Sequence, residues 1–119
     1  METIEIVPAD RDPLARWGPN VGPETLALIE HLRLPRESTE RLQGEAISVL
    51  GRCAPPGSSG GQETGLVIGY VQSGKTMSFT TVAALARDNG YRLVIVCTGL
   101  TRNLFSQSRE RLEGDLQLA

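Results

Sequence analysis

Cysteine is nearly absent: Cys53 and Cys97 are the only two in 119 residues, and they form no C-x-x-C pair. That spacing argues against a zinc site and a disulfide framework, and makes reduced thiols the expectation. Cys97 closes an apolar run and reads as a small buried hydrophobe. Aromatic residues make up only 4% of the chain, so Leu, Val, Ile and Ala must build the core. No apolar run approaches the roughly 20 residues of a membrane span, and acidic Glu2 and Glu5 stand where a basic leader would. A cytoplasmic protein without a membrane partner is expected. Charge of one sign is also scarce, with a net value of -2. It is divided unevenly: residues 1–64 hold six arginines against ten acids, and residues 65–119 hold six cations against four acids. That asymmetry permits a nucleic-acid partner without arguing for one.

What is present fits one modest domain of ordinary composition. Thr3-Ile4-Glu5-Ile6-Val7 alternates like a short strand that Pro8 stops. Residues 10–22 are irregular and carry an exposed-looking Trp17. Pro23 sits at a helix start, with Leu26, Leu28, Ile29 and Leu32 at helical spacing until Leu34-Pro35 breaks the run. Ser38 or Thr39 can cap a second helix that passes Leu42, Ala46, Ile47 and Leu50 to reach about Arg52. The stretch from Cys53 to Glu63, with Pro55-Pro56-Gly57 and Gly60-Gly61, reads as a connection. The expected organisation is a helical segment and linker over 1–60, followed by a different unit over 61–119.

In that second unit Gly65-Leu66-Val67-Ile68-Gly69 is a continuous apolar run, the pattern of a strand buried on both faces. Lys75 to Asn89 reads as a helix, with Met77, Val82, Leu85 and Ala86 available for packing and Asn89-Gly90 as its stop. Leu93-Val94-Ile95-Val96-Cys97 is a second such run, and a further helix is expected from Thr101 to about Leu112. Strand, loop, helix, strand, loop, helix is the signature of a βαβ unit, so the fold class expected is α/β with a parallel sheet.

Between the first strand and its helix, Gly69, Gly74, Lys75 and Thr76 complete the pattern G-x-x-x-x-G-K-[ST] of a phosphate-binding P-loop. Each residue type has a physical task. Gly69 frees the backbone to turn, and Tyr70 to Gly74 can wrap so that successive N–H groups form an anion nest. Within that wrap Val71, Gln72 and Ser73 offer backbone donors, and Gly74 lets the chain approach phosphate oxygens closely. The following helix adds unpaired N–H groups and a positive dipole end. Lys75 is the catalytic cation of the reading, reaching the β- and γ-phosphates. The hydroxyl of Thr76 is the metal ligand, on Mg²⁺. ATP and Mg²⁺ are therefore the expected cofactors.

After the second apolar run come Thr98, Gly99, Thr101 and Arg102, at the strand end where open α/β sheets bind ligands. Their hydroxyls, N–H groups and guanidinium could hold a nucleic-acid phosphate; equally, Thr101 could simply cap the next helix.

The residues 65–76 resemble motif I of superfamily 2 helicase-like ATPases, and Thr98 to Gln107, ending Thr-Arg-x-Leu-x-x-Gln, resembles their motif Ia. A closer likeness is to bacterial proteins with the Z-one domain, an endonuclease-associated family. Val71-Gln72-Ser73-Gly74-Lys75-Thr76, then Asp88-Asn89-Gly90-Tyr91, then the run 93–96 carry it, within about residues 37–116. The resemblance implies a RecA-like P-loop sheet, present here in part, and an ATPase that acts on DNA in company with a nuclease, in restriction or phage defence. It also exposes departures. No acidic Asp-Glu strand follows Leu116, and neither an arginine finger nor a second RecA-like lobe is seen. The chain thus reads as the N-terminal part of a larger ATPase, with the rest of that ATPase or an associated nuclease as partner. The alternatives are a non-catalytic nucleotide-binding remnant or another P-loop enzyme such as a small-molecule kinase. A GTPase would need an Asn/Thr-Lys-x-Asp guanine reader, which is missing. His31, Gln43 and Gln62 read as surface or half-buried residues without catalytic partners.

Overall fold

The computed structural model describes residues 2–3, 14–58, 61–68, 75–97 and 102–117. In chain order these form β1 (Glu2–Thr3), α1 (Pro23–Leu32), α2 (Arg36–Arg52), β2 (Gly65–Leu66), α3 (Lys75–Asp88) and α4 (Arg102–Asp115). Pro23 opens α1, where a missing N–H costs nothing. Arg33 closes it in the left-handed region at φ 50 and ψ 43, immediately before Leu34-Pro35 forbids continuation. α2 starts at Arg36, ahead of the expected caps Ser38 and Thr39. Pro35, at φ -56 and ψ 153, supplies the extended residue before the first turn, and no side chain caps the helix. The end of α3 is a Schellman turn: Gly90 has φ 90, its N–H donates to the Arg87 carbonyl, and the Tyr91 N–H reaches the Ala86 carbonyl at 3.0 Å.

α3 is the centre of the molecule and packs against each of the other three helices. Ala46 and Leu50 of α2 meet Leu85 and Ala86 of α3 in the core, with Trp17, Val21, Ile47, Val82 and Tyr91 closing over them. Leu28 and Thr25 of α1 are also fully buried, as are Thr80 and Thr81 of α3. Two threonines can sit at such positions because their hydroxyls are satisfied within the helix. Thr80 Oγ1 donates to the Thr76 carbonyl and Thr81 Oγ1 to that of Met77, each at 2.6 Å.

The segment before α1 is tied down more firmly than its composition suggests. The Arg16 N–H donates to the Gly51 carbonyl at 2.7 Å, and a Cβ on Gly51 would come within 3.0 Å of the Trp17 carbonyl oxygen. Trp17, expected to be exposed, is half-buried: its indole N–H donates to the Cys53 carbonyl at 3.2 Å and its ring lies 6.2 Å from that of Tyr91. The scarcity of aromatics makes this pairing the natural one.

The expected parallel sheet, a partial P-loop (RecA-like) α/β fold, is not what the described residues form. They are mostly helical, and the strand pairing among them is a two-residue parallel match of Glu2 with Gly65 and Thr3 with Leu66. Residues 67–68 and 93–97 belong to no strand. Leu93 and Ile95 are 73% and 75% exposed, where burial on both faces was expected. The physical reason is that an apolar run declares a need for cover without naming what provides it. Here α1 and α2 take the flanks of α3, and residues 93–97 are left exposed. Of the Thr3–Val7 run, Thr3 is in β1 and the rest lies outside the described residues.

Cys97 shares this exposure, against the expectation of a buried thiol. Cys53 is half-buried, and burial together with the nearby Glu63 carboxylate pushes its thiol up, opposed by Arg16. Because the thiolate is the reactive species, a chromogenic disulfide reagent at pH 8 is expected to modify Cys97 at least about tenfold faster than Cys53. Mass spectrometry of quenched samples reads the order; equal rates would contradict the placement of Cys97.

Candidate functional site

Of the residues singled out by sequence, Gly69, Val71, Gln72, Ser73 and Gly74 lie outside the described residues, as do Thr98, Gly99 and Thr101. Lys75 is the first residue of α3 and Arg102 the first of α4. Thr76, the second residue of α3, is partly buried. The loop-bearing segment therefore runs from β2 into the start of a 14-residue helix. That helix has no acidic residue of its own in its first turn; the carboxylate that reaches this turn is Glu45 of α2, through Ser78.

The surroundings of Thr76 are built by α3 itself and by α4. Its carbonyl accepts the Thr80 hydroxyl, and its own Oγ1 lies 3.4 Å from Nη1 of Arg111. Ser78, one half-turn on, donates to Glu45 of α2 at 3.2 Å, and Arg41 holds the same carboxylate at 3.8 Å. Arg111 is the neighbour that sequence reasoning missed. Helical spacing pairs it with Asp115 four residues on, but Asp115 instead faces His31 of α1 at 3.6 Å. That contact gives His31 a structural partner. Among the described residues no three His, Cys, Asp or Glu side chains gather into a metal-binding group. A hydroxyl such as that of Thr76 suits Mg²⁺ held mainly by phosphates and water.

The segment Asp88 to Tyr91, quoted above for the Z-one-domain likeness, has a role in holding the helices together. The Asp88 carboxylate, at the C-terminal end of α3, caps the N-terminus of α1. Oδ2 accepts from the N–H groups of Gly22 at 3.0 Å and Thr25 at 2.9 Å and from the Thr25 hydroxyl at 2.7 Å; Oδ1 accepts from Glu24 N–H at 2.9 Å. Burial pushes this carboxyl up, but the bonds from Thr25, Glu24 and Gly22 outweigh it and hold it below the usual aspartate range. A Cβ on Gly22 would stand 2.8 Å from the carboxylate carbon, so glycine is needed there for close approach. Asn89 exchanges hydrogen bonds with the backbone of Asn20, both at 2.9 Å, and the Tyr91 hydroxyl donates to the Ala54 carbonyl.

An open depression of about 640 Å³ is lined by Ala54, Pro56, Ser58, Asn89, Tyr91 and Arg92 among others. It lies at the C-terminal end of α3, whose 14 residues span roughly 20 Å. It is thus separate from Lys75 and Thr76. No helix among the described residues is long and apolar enough to cross a membrane. No protein-family model, curated protein or solved structure matches this chain. The helicase-like likeness rests on the motif residues themselves.

Proposed function

We propose that the chain binds MgATP through the loop Gly69–Thr76, as part of a helicase-like ATPase that works on DNA. The observation that carries this reading is the complete G-x-x-x-x-G-K-T pattern ending on the first turn of α3, where Lys75 and Thr76 fall. A helix N-terminus offers unpaired N–H groups and a partial positive charge. Lys75 adds a full charge, and Thr76 adds a hydroxyl for the metal bridging the β- and γ-phosphates. The DNA part of the proposal rests on Thr98, Gly99, Thr101 and Arg102, whose hydroxyls, N–H groups and guanidinium suit a phosphate backbone. It also rests on their likeness to motif Ia. The phosphate-binding part uses backbone N–H groups, a helix start and two side chains within eight residues.

Calorimetric titration of the chain with ATP in the presence of Mg²⁺ is expected to show one site in the micromolar range, weakened when Mg²⁺ is chelated. Absence of any binding heat, with no thermal stabilisation at millimolar MgATP, would sink the reading, since a ligand specific for the native state must raise the melting temperature.

A further inference from the structure

We infer that Arg111 is a second phosphate-binding cation of this site, one that distinguishes ATP from ADP; the inference rests on the nucleotide reading above. Arg111 projects from α4 to the first turn of α3, and its Nη1 lies 3.4 Å from Oγ1 of Thr76. At that length the hydrogen bond is weak, so the contact is informative as position more than as adhesion. Two of the three carboxylates on α4 are engaged elsewhere, and the third, Glu110, is adjacent to Arg111 in sequence and so does not share its face. Glu113 pairs with Arg109 at 2.8 Å and Asp115 faces His31. Arg111 forms no ion pair with a described carboxylate, while its guanidinium carries five donors. The guanidinium is exposed, so its remaining donors are open to an anion in place of water.

The hydroxyl concerned decides what Arg111 can reach. In a phosphate loop the residue after the lysine places its oxygen on Mg²⁺, which in turn bridges β- and γ-phosphate oxygens. A guanidinium that touches this oxygen in the nucleotide-free chain is one side-chain swing from those phosphates. The guanidinium is thus placed to approach an anion held at the start of α3, where a triphosphate would bring more charge than a diphosphate. Arg is suited to the task because its planar fork binds phosphate oxygens in pairs. The first turn of α3 has no acid of its own, and Glu45 of α2, which reaches Ser78 there, is held by Arg41.

The test is a set of calorimetric titrations with MgATP and MgADP on the unaltered chain, Arg111→Ala and Arg111→Lys. Circular dichroism melts of each protein accompany them. Arg111→Ala is expected to weaken MgATP binding about tenfold or more and MgADP binding less than about threefold, as for loss of one charge-assisted contact to the third phosphate. Arg111→Lys keeps the charge without the fork and is expected to fall between. A contact serving only to hold α4 against α3 would lower the melting temperature without separating ATP from ADP. Equal losses for the two nucleotides, or none, overturn the assignment of Arg111 while the loop stands. Failure of the unaltered chain to bind either nucleotide removes both.

Discussion

Lys75→Ala is expected to reduce MgATP affinity at least about a hundredfold, beyond the range of ordinary calorimetry, while leaving the helical fold in place. The size follows from what is removed. The lysine is the one full positive charge that the motif directs at the β- and γ-phosphates. A charge-assisted contact in a partly desolvated site is worth about 3 kcal/mol, and every 1.4 kcal/mol is tenfold. The fold should tolerate the change because alanine is the best helix former and the position is the first of α3. Thermal unfolding is expected to stay within about 0.5 kcal/mol of the parent. Lys75→Arg should recover only part of the affinity, since a fork replaces a compact ammonium. Affinity undiminished in Lys75→Ala would show that any nucleotide bound is held elsewhere.

Asp88→Ala is expected to destabilise the chain by about 2–3 kcal/mol, lowering the melting temperature by roughly 10–20 °C for a domain of this size. α1 has no capping side chain of its own, since Gly22 stands at its N-cap. Asp88 supplies that cap from another helix, accepting three backbone N–H groups and the Thr25 hydroxyl. Thr25 is only 1% exposed, so its hydroxyl loses its acceptor in a place water does not easily replace. The effect carries a pH signature. The carboxyl of Asp88 is held below its ordinary value in the folded chain, so its stabilisation is complete above the unfolded pKa of about 3.9. It is lost as the pH falls through the folded value. Urea melts at pH 7 and at pH 3 should therefore separate parent from Asp88→Asn more at neutral pH than in acid. A constant difference at both would contradict the cap.

Asp88 also shows what in this chain could be read beforehand. A carboxylate at the C-terminal end of a helix opposes that helix's dipole, and such a local conflict signals service to something else. The partner, α1, lies more than 60 residues away in sequence and could not be named from spacing. Helices were legible because their signals are local: Pro23, the break at Leu34-Pro35, the apolar spacing through Leu50, and Asn89-Gly90. The apolar runs 66–68 and 93–97 were misleading for the opposite reason. Their composition speaks of burial, while strand pairing is a property of two segments. The loop pattern is local too, eight consecutive residues of which Lys75 and Thr76 begin α3. Arg111 was not legible, because its approach to Thr76 depends on how α4 crosses α3.

The central position of α3 has a consequence for the timing of backbone opening. Its residues 80–86 are surrounded by α1, α2 and the Trp17–Tyr91 cover, so no partial opening frees their amides without parting the whole helical core. Hydrogen–deuterium exchange should place these amides in the slowest class, released only with global unfolding. Residues 93–97, outside any helix or strand, should exchange near the rate of an unstructured peptide. Two segments a few residues apart along the chain would then differ in lifetime by orders of magnitude, and Asp88→Ala would bring the slow one toward the fast.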